Sequence, residues 1–586
     1  MTWNYLYRSA ATDYEHLRIC VGQAWLVIGG LQQVQKNQTI ALVVIIVIAI
    51  GAVGAYVYFR PPVYEQTLIM GTTDSVESSL DMAQSYDYFG WEIITALSSG
   101  LVEIEPGSQA GANDIMPALA LSWTRTVDGK TWDFVLRQGV KYEDGRIFNA
   151  TDVKYSFDRN CNLTGDGLAE GDGPQVSMEY SAIINSVEVT GVYGVRFNLK
   201  ISFAPFLQLL SCAASYIVDR VHAPKNHVVS YVEGDARASH PCGLGPYVLA
   251  NWTRIGGEDS EMRLEKNPDY WGAAAGLPKN DNVTIRMYAT SNALATAMTT
   301  GEIDIAYRQI SALQVQTFKS DPDVRVWQGI GAQIQYLCFQ QRIYPFNITD
   351  VRRAITASLN MTHLCGSVFL GTADPLYSMI PVGMAYHKDS FKIYGEANWT
   401  YTQTLLAALG YNSTNKLVVD FYYESSGHYP ESANQALVYQ ADLQASGVIT
   451  VVLHGLEWAA FRLARNAGTM PVFVYGWYPD FIDPDNYEFL PFAPWLNLGY
   501  NSTYPATGVQ QYNYWIGGRS AATEAGRLGN YTALQDLQAS VCSVVPLWQS
   551  STVAVTGLNV HGVIMDITVN WRHWLVYLGA TATTGP

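Results

Sequence analysis

Three aspartates stand within six residues of one another in the stretch VYGWYPDFIDPDNY, residues 474–487: Asp480, Asp483 and Asp485. A carboxylate placed just after an aromatic and apolar run has three uses. It caps a helix, pairs with a cation of its own chain, or waits for a cationic ligand. In a desolvated cleft the last use gives a short, charge-assisted bond to an amine, stronger than a neutral hydrogen bond. The DPDN segment, which holds Asp483, Asp485 and Asn486, reads most simply as a turn. Other chemistries lack their residues. There is no G-x-S-x-G elbow, and the ten histidines include no H-E-x-x-H pair. No C-x-x-C is present, so neither a metal nor a cofactor has sequence support. GKT at 129–131 is not a phosphate loop, because Thr124 stands where that motif requires glycine. The acid- and glycine-rich segment at 164–174 lacks the ligand spacing of a calcium loop and reads as a solvated surface insert. A pair of glycosidase carboxylates would meet only in the fold, and the expectation is that the chain is not an enzyme.

The elements that must position these acids belong to a chain of 586 residues, too long for one ordinary core, so two or more lobes are expected. With 35 basic against 51 acidic residues, the net charge of −16 repels a phosphate backbone and disfavours nucleic acid as a partner. Residues 40–59 carry no charge and are long enough to cross about 30 Å of hydrocarbon as a helix. They predict a single-pass cell-membrane anchor, with residues 62–586 outside the cell. Ten N-x-S/T sequons in that part, at Asn149, Asn162, Asn251, Asn282, Asn347, Asn360, Asn398, Asn412, Asn501 and Asn530, suit an exported glycoprotein. Anchor and sequons together suggest an archaeal source. Six of the seven cysteines lie in the exported part, with Cys212 and Cys242 the favoured bridge.

Along the chain, alternating runs on either side of Asp128-Gly129 predict a hairpin with a type I′ turn. A helix is expected before Gly100, and another opened by Thr349 as its N-cap. Between 400 and 456, helix, strand, helix and strand alternate, the pattern of an α/β lobe with parallel strands.

Several segments in fixed order resemble the extracellular solute-binding proteins of family 5, which serve dipeptide, oligopeptide and nickel ABC importers. They are IMPALALSWTRTVDGKTWDFVLRQGVKYEDGRIFNATDVKYSFDR, CGLGPYVL, EKNPDYWG, ATAMTTGEIDIA, DVRRAITASLN, IPVGM and YGWYPDFIDPDNY. The resemblance implies an α/β fold of the type II periplasmic-binding-protein class, two lobes with an extra inserted domain, behind the N-terminal transmembrane helix. Behind a cytoplasmic or leader segment at 1–39 and the anchor at 40–59, it places lobe I at 60–100 and 221–325, the insert at 101–220, lobe II at 326–500 and a return to lobe I at 501–586. It implies a binding component that captures peptides by lobe closure and delivers them to ABC permease subunits. The alternatives are an oligosaccharide ligand or a surface-assembly scaffold. In peptide-binding members an Asp four residues after the Gly of a GW pair holds the ligand's α-ammonium group, which assigns that role to Asp480. The backbone at Tyr475, Gly476 and Trp477 is expected to pair with an extended peptide, and Trp477 and Tyr478 to wall side-chain pockets. His428 stands where relatives carry a basic residue for the ligand carboxylate, and the missing Arg there departs from the pattern.

Overall fold

The computed structural model describes residues 67–108, 114–163, 178–241, 243–500, 505–568 and 570–579. Contacts divide the chain into Met1–Glu65 and Gln66–Pro586, and the described elements belong to the second unit. The anchor at 40–59, the insert at 164–174 and Cys242 lie outside the described residues. Among those described, no helix is long and apolar enough to cross a membrane.

An eleven-stranded mixed sheet runs through both lobes. Its middle is made by two long antiparallel strands, Val324–Phe339 and Val544–Gly557. At one end of this pair stand Ile305–Tyr307, Thr67–Thr72, Asn282–Met287, Glu258–Lys266 and Tyr247–Ile255; at the other stand Val472–Trp477, Leu417–Glu424 and Ile449–Leu456. The pairing of the two long strands slips between Ile330 and Ile334, where the chain leaves one lobe for the other. Two crossing strands joined by an irregular register form a natural hinge.

A four-stranded antiparallel sheet over Ala120–Arg125, Thr131–Leu136, Gly194–Leu199 and Ile184–Gly191 packs with helix Ala150–Asn162 into the core of the first lobe. Its first hairpin forms as expected, but the turn differs. Gly129 N–H donates to Thr126 O at 2.9 Å, and only Gly129 has positive φ, at 71°. Val127 and Asp128 keep ordinary dihedrals, so the connection is a type I turn followed by a left-handed glycine. A type I′ turn would require both central residues at positive φ. Helix Tyr88–Leu97 ends three residues before Gly100, and helix Thr349–Ser358 begins after Ile348. Thr349 is inside its first turn, accepting from Arg352 Nη2 at 3.2 Å instead of capping.

The helices Ala506–Ser520 and Glu524–Val541 do not return to the first lobe. Trp515, Tyr531 and Leu534 are buried with Phe473 and Tyr475 of the second lobe, and Ala539 with its other core, which fixes these helices there. Only the Val544–Gly557 strand carries the chain back. Cys212 is a free, buried thiol directed at Leu209 O, 3.0 Å away, within a core that includes Met178 and Tyr180.

Candidate functional site

Strand Val472–Trp477 ends where the lobes meet and hands the chain to a loop that lies against the first lobe. Asp480, on this loop, is 6 % exposed. Its Oδ1 accepts from Tyr86 Oη of the first lobe at 2.7 Å, and its Oδ2 from Asn486 Nδ2 at 3.2 Å. Asn486 Oδ1 in turn accepts from Asp480 N–H at 2.7 Å and from Trp477 Nε1 at 3.2 Å, holding the carboxylate in place. No ion pair with Asp480 occurs among the described residues. Burial pushes its carboxyl up to about 6, with the Tyr86 and Asn486 hydrogen bonds pulling the other way. A buried carboxylate that has donors but no cation retains an unmet demand for positive charge.

The other two acids are spoken for. Asp483 Oδ1 meets Arg527 Nη2 at 2.6 Å, both residues buried. Asp485 Oδ1 accepts from Trp515 Nε1 at 2.7 Å and stands 3.2 Å from Arg519 Nε. DPDN is not a free turn: Asp485–Glu488 is a short helix whose acids face the core. Asn486, read as part of a turn, is the side chain that positions Asp480.

Around Asp480 the lobes touch directly. Tyr88 Oη donates to Pro479 O at 2.7 Å, and the Tyr88 and Tyr478 rings are 4.8 Å apart. Phe481 is buried in the first lobe's core against Phe203, 6.4 Å between centroids. Farther out, Arg519 Nη2 reaches Glu179 at 2.8 Å and its carbonyl accepts from Ala204 N–H at 2.7 Å.

The remaining expected site residues divide. Trp477 stacks on Trp495 at 5.8 Å and packs edge-on to Phe489 within its own lobe. Tyr475 is buried, its hydroxyl bonded by Arg465. Tyr478 stays 41 % exposed at the lobe contact. His428 is exposed and stacks on Trp458 with 3.7 Å between centroids. Loss of water around the stacked ring lowers its pKa, opposed by Glu424 and assisted by Arg462. With its pKa lowered the imidazole stays neutral down through its ordinary titration range, so His428 supplies an aromatic face more than a cation. Tyr86, Asn486 and Tyr429 were not signalled by sequence. Tyr86 is 394 positions from Asp480, and no local spacing relates them. Asp144, Asp219 and His222 gather closely enough for a cation, but Arg146 already donates to both carboxylates.

A lobed α/β fold with a buried carboxylate where its lobes meet, and no cation beside it among the described residues, is the class defined by this geometry. The family described as "Bacterial extracellular solute-binding proteins, family 5 Middle" matches residues 114–493, and the chain belongs to it. Among its relatives, "Di/tripeptide-binding protein 2" of Pseudomonas aeruginosa is 30% identical over 67% of this chain and 72% of its own length. "Probable D,D-dipeptide-binding periplasmic protein DdpA" of Escherichia coli is 27% identical over 69% and 73%. The solved "periplasmic binding protein DppA from Helicobacter pylori in complex with peptide STSA" superposes with a TM-score of 0.68 at 25% identity, covering 88% of this chain and 98% of that one. HbpA2 from Haemophilus parasuis shares the fold with a TM-score of 0.74 at 20% identity, over 87% and 99%. Members of this family are transport binding proteins, not enzymes.

Proposed function

We propose that this chain is the substrate-binding component of an ABC importer and captures peptides between its lobes, with Asp480 holding the α-ammonium group. The observation that carries the reading is the buried Asp480 carboxylate, ringed by neutral donors and without a cation partner among the described residues. An ammonium group entering there recovers the cost of burying the charge, which a neutral ligand cannot do. Tyr86 from one lobe and Asn486 from the other contact the same carboxylate, so a ligand bound to it biases the closed state by its differential affinity. Relatives named for dipeptides and tripeptides, and one solved with a bound peptide, support the same ligand class. Delivery to permease subunits follows from the family's role. In this proposal the uncharged segment at 40–59 tethers the binding unit to the outer face of the cell membrane. Of the sequons, Asn251, Asn347 and Asn412 are exposed, whereas Asn282 is buried in the central sheet and is no acceptor once folded.

The test is calorimetric titration of the protein with a peptide and with the same peptide N-acetylated. The free peptide is expected to bind at least tenfold more tightly. Equal affinity overturns the amine anchor. Mass spectrometry of small molecules released by denaturation would show peptides; oligosaccharides there would overturn the ligand class. The anchor is tested by fractionation, in which release into the medium without membrane association would refute it.

A further inference from the structure

Strand Val472–Trp477 is paired along its whole length on one side, from Ile334↔Trp477 to Phe339↔Val472. On its other side it pairs only at Val472 and Phe473. The neighbouring strand Leu417–Glu424 runs two residues past that point, unpaired with this edge, and the loop at 425–431 then folds back over it. Glu424, 1 % exposed, ties the loop down by accepting from Ser426 N–H and Oγ and, at 3.3 Å, from Tyr429 N–H.

The loop thereby seats Tyr429 on Gly476. The Tyr429 hydroxyl donates to Gly476 O at 3.4 Å, and a Cβ at 476 would lie 2.6 Å from the ring. Only glycine fits there. By the two-residue period of a strand, the outward main-chain groups of this edge are those of Val474 and Gly476. Tyr429 occupies the one nearer Asp480. The ring is braced by Tyr475 at 5.8 Å, Trp458 at 5.8 Å and His428 at 4.8 Å. Behind it, between Glu424, Gln335 and Gln435, is a cavity of about 10 Å³. That holds about one water.

We infer that Tyr429 is a specificity-determining residue that limits ligand length. An extended peptide with its amine at Asp480 and its chain running back along this edge meets the Tyr429 ring at Gly476. A strand advances roughly 3.3 Å per residue, so main-chain pairing stops after the first residue or two. The site then takes dipeptides and tripeptides and rejects longer chains. This rests on the peptide reading above and goes beyond it.

The experiment exposes the full-length protein to mixed-sequence peptide pools of two, three, four and five residues, and counts retained peptides by mass spectrometry. The wild type is expected to retain dipeptides and tripeptides at least tenfold over pentapeptides. Tyr429→Ala removes the ring and should cut that ratio at least tenfold, while Tyr429→Phe, which keeps the ring, should leave it within about threefold. If Tyr429→Ala does not fold, Tyr429→Leu serves, with a ratio intermediate between the two. A ratio unchanged in the folded Ala or Leu variant overturns the length limit and leaves the peptide reading standing. Retention of no peptide of any length by the wild type overturns both.

Discussion

Asp480 and Asp483 are three residues apart, both buried, and have opposite circumstances. Asp483 is paired with Arg527 across 2.6 Å, a contact between the loop after the strand and helix Glu524–Val541. Among the described residues Asp480 has only the hydroxyl of Tyr86 and the amide of Asn486. The difference teaches which acid is structural and which is available. A carboxylate whose cation belongs to the same chain has its charge offset in the folded protein whether or not a ligand is bound. One without such a cation destabilises the empty, closed form and is relieved when a cation arrives.

The contrast can be broken most severely at Arg527. Arg527→Met leaves Asp483 buried and unpaired, which costs about 3–5 kcal/mol. A denaturant unfolding curve should show the loss as a lower midpoint; an unchanged midpoint would mean that Asp483 finds water or another donor. Asp480→Asn makes the converse case. The affinity for free peptide should fall by roughly 2–5 kcal/mol, and N-acetylation should cost the mutant little more. A full acetylation penalty in Asp480→Asn would place the amine elsewhere.

Protonation sharpens the same comparison more gently. The Asp480 carboxyl is raised to about 6 by burial, so the empty folded protein holds this proton more tightly than the unfolded chain does. Its contribution to stability is therefore most favourable at low pH, below the unfolded value, and is lost as pH rises through about 6. Binding an ammonium group runs the other way, because it requires the carboxylate. Peptide affinity should hold from pH 8 to 7 and drop about tenfold by pH 5. A flat calorimetric profile over that range would remove Asp480 from the amine site. The smallest effect is expected at the rim, where Glu179 pairs with Arg519 with its side chain 46% exposed. Glu179→Gln should change stability by about 0–1 kcal/mol, and X-ray scattering should show only a slight shift toward open forms. A large opening would make this pair, and not the ligand, the main holder of the closed state.

Local patterns carried much of the fold. The alternation over 400–456 became strands Leu417–Glu424 and Ile449–Leu456 around helix Ser432–Ala445, paired in parallel. The Asp128-Gly129 hairpin formed, although its turn type depended on the length of the loop and not on the dipeptide. The helices over 506–541 were misplaced by sequence, since their apolar faces specify burial without naming the surface that buries them. Tyr429 was hidden for a related reason. Its neighbour His428 drew notice as an ionisable residue, while an aromatic ring in a loop has no distinctive pattern until the strand edge it covers is known.

What the sequence determined by itself was membership and material: the order of family segments, the GW-to-Asp spacing that singled out Asp480, and the absence of motifs for catalysis. These are properties of short stretches, where residue type and spacing act through local geometry. Tertiary structure alone decided which aspartates have cations, which tyrosine meets Asp480 across 394 positions, and which ring closes the edge at Gly476. Charge compensation and strand-edge coverage depend on distances of a few ångströms between segments far apart in the chain, and only the packed lobes bring those segments together.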